Sequence, residues 1–160
     1  MSGSGKSTVG KLLAQKLHRP LLDIDQMVEA AAGKSINEIF EEQGEAAFRE
    51  KEAEQITMAA QATETVIVCG GGAVLFAKNM LILAHSGVII YIDTSIEQIL
   101  ARTDFSDRPL LYKQPEQLYN MLQVRDPLYR KYAAYVAENS GTPEETAEKI
   151  ITLIKRETKP

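Results

Sequence analysis

Apolar positions follow two rhythms along the chain. Short, largely β-branched runs such as Val66-Ile67-Val68 and Val88-Ile89-Ile90-Tyr91-Ile92 alternate with longer stretches whose apolar residues recur at helical spacing. The short runs suit strands buried on both faces and the longer stretches suit crossover helices that cover them, so the alternation predicts a parallel α/β fold. In chain order, residues 7–17 read as a helix with Val9, Leu12, Leu13 and Leu17 on one face, and residues 20–25 as a short strand ending in acid. Ser35-Ile36-Asn37-Glu38 has the spacing of a capping box, in which hydroxyl and carboxylate satisfy free N–H groups, so a helix opens there. Gly44 should interrupt that helix, and residues 45–62 form a second, charged one. A strand over 65–69 stops at Gly70-Gly71-Gly72; a helix over 77–84, a strand over 88–92 and a helix over 95–102 follow. Residues 103–114 are polar and contain the helix-breaking Asp107-Arg108-Pro109; this length without structure predicts a mobile lid over about 103–115. Helices are expected over 115–124 and 127–135, and Thr142-Pro143-Glu144-Glu145 starts the last one.

Length and composition narrow the class. With 160 residues, 44% apolar and 25% charged, the chain suits one globular domain, 1–160, with a real core. The formal charge of −4 gives no global attraction to nucleic acid or anionic lipid, so neither nucleic acid nor membrane is expected as a partner and any anion site must be local. Cys69 is the single cysteine, which excludes an internal disulfide and a Cys-rich zinc site. The apolar runs fall short of the roughly 20 residues that span a bilayer, and the first residues lack a signal-peptide pattern. A cytoplasmic monomer is the expectation.

The first eight residues carry the clearest chemistry. Met1-Ser2-Gly3-Ser4-Gly5-Lys6-Ser7-Thr8 runs into a helix and matches the P-loop pattern G-x-x-x-x-G-K-[ST] except for its opening glycine. Glycines let backbone N–H groups curl around phosphate oxygens, the helix N-terminus adds positive potential, Lys6 adds a point charge and Ser7 can ligate Mg²⁺. Such a loop normally hangs from a buried strand, and no residues stand in front of it here. The expected fold is therefore a P-loop kinase fold with a parallel sheet flanked by helices whose first, central strand is missing from the chain. Each buried apolar side chain lost with it is worth about 1.5–3 kcal/mol. The thermal midpoint should accordingly rise when about ten upstream strand residues are added.

Asp23 and Asp25 lie two apart on the expected strand, which points both side chains the same way at the strand's carboxyl end. One carboxylate can hold Mg²⁺ while the other hydrogen-bonds, and deprotonates, an attacking hydroxyl.

At this point the chain resembles the shikimate kinases over essentially its whole length. After the loop come Asp23-Ile24-Asp25, the stretch Gly44-Glu45-Ala46-Ala47-Phe48-Arg49-Glu50-Lys51-Glu52, then Gly70-Gly71-Gly72-Ala73-Val74, Arg108-Pro109-Leu110-Leu111 and Arg125-Asp126-Pro127-Leu128-Tyr129. The resemblance implies that Asp25, Arg49, Gly70, Gly71, Gly72 and Arg125 hold shikimate, and that Ser7 and Asp23 serve Mg²⁺. It further implies ATP on Gly3, Ser4, Gly5, Lys6, Ser7 and Thr8, with Arg108 as the lid arginine beside the transferring phosphoryl group and Arg102 packed on adenine. Lys6, Asp25 and Arg108 would be the catalytic residues of shikimate 3-phosphorylation.

Elementary chemistry adds detail. A small carboxylate substrate invites arginine forks that pair two oxygens at once, a task for Arg49 and Arg125. Arg130 competes with Arg125, which is preferred because it stands immediately before Asp-Pro-Leu-Tyr. Glu52 could orient Arg49 or form an ordinary surface i,i+3 pair, and Glu45 offers a second partner. Two rivals remain in the sequence: a kinase for another small hydroxy acid such as gluconate, and a remnant that binds nucleotide without turnover.

Overall fold

The computed structural model describes residues 3–102 and 115–157. Its elements are α1 (Lys6–Leu17), β1 (Leu21–Asp23), α2 (Ile24–Ala32), α3 (Ile36–Ala59), β2 (Val66–Val68), a 3-10 turn (Ala73–Leu75), α4 (Ala77–Ser86), β3 (Ile90–Asp93), α5 (Ile96–Arg102), α6 (Pro115–Tyr132), β4 (Tyr135–Glu138) and α7 (Pro143–Glu157). The protein is thus α/β, with parallel strands and flanking helices. Two compact units divide the chain inside α1: Gly10–Val88, and Met1–Val9 with Ile89–Pro160.

In the unit Gly10–Val88, β1 runs parallel to β2 in the register Leu21 to Val66, Leu22 to Ile67 and Asp23 to Val68. Ile24 and Val28 of α2 meet Ile39, Phe48 and Ile56 of α3 in its core, and Ala73 closes one side. The strand is shorter than expected, because Asp23 turns the chain. Its carboxylate accepts the Asp25 N–H at 3.1 Å as an N-cap, so Ile24 and Asp25 already belong to a helix. Asp23 and Asp25 therefore do not share a strand face, and the period-two argument for them fails. The expected capping box is present: Ser35 Oγ accepts the Glu38 N–H at 3.3 Å and the Ser35 N–H donates to the Glu38 carboxylate at 2.7 Å. Gly44, at φ 79 and ψ 174, kinks α3 where an interruption was expected.

A different glycine sets how closely α1 approaches β2. A Cβ at Gly10 would overlap Val68 Cγ2, and Val68 is buried. Gly10→Ala should therefore destabilise the protein by about 1–3 kcal/mol through overpacking, read as a lower urea midpoint. An unchanged midpoint would show that Val68 swings aside at no cost.

In the other unit, β3 runs parallel to β4, from Ile90 opposite Tyr135 to Asp93 opposite Glu138. Ile96 and Ile99 of α5 pack with Leu118 of α6. Two expectations are corrected here. Residues 127–135 do not form a separate helix: α6 continues through Pro127 and ends at Tyr132, and Tyr135 opens a strand. An interior proline forfeits one backbone hydrogen bond, but the turns beside it are tied down. Asp126 accepts from Tyr91 Oη at 3.0 Å and from Arg130 Nε at 2.8 Å, Arg130 reaches Asp93 at 2.6 Å, and the Tyr129 ring stacks on Tyr91 at 4.8 Å. The last helix opens as expected, with Thr142 Oγ1 accepting the Glu145 N–H at 3.2 Å and the Thr142 N–H donating to the Glu145 carboxylate at 2.8 Å. Among the described residues, no helix is long and apolar enough to cross a membrane.

Candidate active site

The loop ahead of α1 has the shape of an anion cradle. Gly3 and Gly5 sit at φ 76 and φ 83, in the left-handed region that a side chain disfavours, and α1 begins directly at Lys6. No acidic residue occupies the first turn of α1, so its N-terminal field is uncompensated there. Lys6 is half-buried, while Ser7 and Thr8 are exposed at the helix mouth. Ser4 is buried, and its carbonyl accepts hydrogen bonds from Thr94 Oγ1 at 3.1 Å and Asn139 Nδ2 at 2.9 Å. Neither Thr94 nor Asn139 was legible as a site residue; their sequence distance from Ser4 hides them.

In the unit Gly10–Val88, the acceptor-side residues come together. A Cβ at Gly70 would lie 2.9 Å from Asp25 Oδ1 and 3.0 Å from Glu52 Oε1, so two carboxylates from different helices flank one glycine. At Gly72, which is buried, a Cβ would stand 2.5 Å from Arg49 Cζ and closer still to both terminal nitrogens. The guanidinium lies where the side chain is missing. Arg49 donates from Nη1 to Glu52 at 2.9 Å and from Nε and Nη2 to Glu45 at 3.2 and 3.0 Å. Its side chain is 12% exposed and that of Glu52 is 0% exposed. The alternative of an ordinary surface pair is thereby corrected for Glu52 and remains apt only for Glu45, which is exposed. Burial works against the Arg49 charge, and the Glu52 and Glu45 carboxylates outweigh it, so the guanidinium stays protonated above its ordinary range. Gly71 is half-buried between its neighbours.

The two arginine candidates on α6 separate cleanly. Arg130 is held by Asp126 and Asp93 and lies 5.5 Å from the Tyr91 ring centre. Arg125 is half-buried and has no hydrogen-bond or ion-pair partner among the described residues. The Tyr91 hydroxyl titrates well above its usual value, through burial first and then the Asp93 charge, which keeps it a donor to Asp126. Arg102 ends α5, and Arg108 with the expected lid lies outside the described residues.

Ser7 and Asp23 are hard oxygen donors of the kind Mg²⁺ takes one or two at a time beside phosphate oxygens. Asp23 Oδ1 also caps α2. Taken singly, each residue's oxygen chemistry is of the kind that Mg²⁺ accepts.

Comparison with known proteins converges on one family. The family described as shikimate kinase matches residues 2–155. A shikimate kinase of Sulfurihydrogenibium sp. (strain YO3AOP1) is 37% identical over 96% of this chain and 93% of its own length. A shikimate kinase of Acinetobacter baumannii (strain AYE) is 41% identical, over 95% of this chain and 87% of its own. Among solved structures, the Acinetobacter baumannii shikimate kinase in complex with shikimate superposes with a TM-score of 0.92 at 40% identity, covering 99% of this chain and 90% of that one. The Aquifex aeolicus enzyme gives 0.89 at 32% identity, over 99% and 95%. Matched by the family over residues 2–155 and by relatives along nearly their whole length, the chain belongs to the shikimate kinase family.

Proposed function

We propose that residues 1–160 work as one kinase domain that transfers the γ-phosphoryl group of ATP to the 3-hydroxyl of shikimate, giving ADP and shikimate 3-phosphate in aromatic amino acid biosynthesis. The observation that carries this reading is Arg49, held by buried Glu52 over the bare backbone of Gly72, with Asp25 beside Gly70. A cation fixed in this way receives a carboxylate, and a neighbouring carboxylate receives a hydroxyl; shikimate presents both groups. The relative solved with shikimate supports the choice of substrate.

Each residue then has a task. Arg49 and Arg125 pair the substrate carboxylate, and the backbone of Gly70, Gly71 and Gly72 lets the ring approach closely. Asp25 orients the 3-hydroxyl and takes its proton. Amides of Gly3, Ser4, Gly5, Ser7 and Thr8 cradle the phosphates, while Lys6 and Arg108 neutralise charge that develops on the transferring group. Arg102 packs on adenine. Ser7 and Asp23 would hold Mg²⁺, which would supply neutralising charge for the phosphates when bound. The protein acts as a cytoplasmic monomer, without nucleic acid or membrane partners.

A coupled ADP-release assay tests the proposal. Release should depend on shikimate and be absent with gluconate; equal release with gluconate, or none with shikimate, overturns it.

A further inference from the structure

We infer that Asn139, backed by Thr94 and Thr146, is a positioning residue that holds the phosphate loop in its ATP-binding shape. All three side chains are buried, at 2%, 4% and 0% exposure, and they come from the residues following β4, the residues following β3, and α7. Asn139 Nδ2 donates to the Ser4 carbonyl at 2.9 Å and to Thr94 Oγ1 at 3.2 Å. Thr94 Oγ1 donates to the same carbonyl at 3.1 Å, and Thr146 Oγ1 donates to Asn139 Oδ1 at 2.8 Å. The Asn139 N–H is itself fixed on the Asp93 carbonyl at 2.8 Å. Two of these hydrogen bonds end on the Ser4 carbonyl, and the others fix Asn139 and Thr94 for that task.

The consequence follows from the peptide plane. In a trans peptide the C=O and the next N–H point in opposite directions. Two donors that draw the Ser4 carbonyl inward therefore turn the Gly5 N–H outward, as a cradle donor must be. Rotation of that peptide would remove the donor and leave the carbonyl facing a phosphate. Gly5 fits the same arrangement: a Cβ on it would come within 3.3 Å of Asn139 Nδ2. A buried polar cluster contributes little net stability beside an apolar core of the same volume but fixes orientation strongly. Its benefit should therefore appear in nucleotide binding.

This inference rests on residues 3–8 being the ATP cradle, so the experiment separates the two. Asn139→Asp, Thr146→Val, Lys6→Ala and the parent protein are compared by steady-state kinetics well below each thermal midpoint, and by the midpoint shift that ADP produces. Asn139→Asp keeps the shape and sets an oxygen against the Ser4 carbonyl; it should raise the KM for ATP at least about tenfold, as expected when a binding loop is misplaced. The KM for shikimate should stay unchanged and the ADP-induced midpoint shift should shrink. Thr146→Val, nearly isosteric, should give the same pattern more weakly, and it decides the matter should Asn139→Asp fail to fold. Folded variants that lose midpoint but keep the parental KM for ATP, or that change both KM values alike, overturn the inference. If Lys6→Ala itself leaves ATP kinetics intact, the cradle reading fails instead.

Discussion

Replacing Asp25 by asparagine should lower kcat by about 10²- to 10⁴-fold, the usual contribution of a positioned general base. Asp25 lies in the first turn of α2, where the helix field favours a carboxylate, and its Oδ1 lies beside Gly70. Asparagine keeps that shape. Its amide, however, cannot take a proton, and its NH₂ would offer a donor to a hydroxyl that must itself donate. The KM for shikimate should change only a few-fold, since the substitution leaves untouched Arg49 and Arg125, the proposed carboxylate partners. Initial-rate ADP release at saturating ATP and shikimate measures the effect. A variant that keeps kcat within about threefold of the parent would show that positioning alone drives transfer, as loose phosphoryl-transfer transition states permit, and would remove Asp25 from the catalytic set.

What could be read from sequence was local. The P-loop motif, the capping box at Ser35 and the helix start at Thr142-Pro143 each lie within a few consecutive residues, and the physics that builds them acts over the same span. Asp23 and Asp25 do not share the strand face expected of them, because an aspartate near a strand end can equally cap a helix, and here the Asp23 carboxylate takes that option with the Asp25 N–H. Strand β4 was hidden for a related reason. Tyr135-Val136-Ala137-Glu138 buries only Ala137 fully, so its signal is one period of alternation, and its stability comes from pairing with β3 far away in the chain. Pro127 pointed to a break that the Asp126, Tyr129 and Arg130 contacts override.

The site shows the same divide between local and distant. Arg49 and Glu52 are one helical turn apart, so their pairing was foreseeable, but whether it was a surface bond or a buried one depended on β2, α2 and the glycine turn packing over it. The burial of Glu52 resolves that question. Asn139 lies beyond the reach of such reasoning: its partners Ser4 and Thr94 stand 135 and 45 residues away. An asparagine after a short apolar run is a turn signal by itself, and only the fold turns it inward.

Arg49→Ala should show how closely substrate binding and stability are joined at this pair. A bidentate, charge-assisted contact with a carboxylate is worth about 1.5–3 kcal/mol, so the KM for shikimate should rise about 10- to 150-fold while the KM for ATP holds. Stability should fall as well, by on the order of 3 kcal/mol, because the change removes the cation that compensates a fully buried Glu52. Two further variants separate these effects. Arg49→Lys restores the charge without the planar fork and should recover part of the urea midpoint but little of the shikimate affinity. Gly72→Ala retains the guanidinium but displaces it, since the new methyl would stand only 2.5 Å from Cζ; it should raise the KM for shikimate without removing the ion pair. Should the KM for shikimate stay within about twofold of the parent in Arg49→Ala, Arg49 is a structural counter-ion to Glu52, and the substrate carboxylate must be bound by another cation.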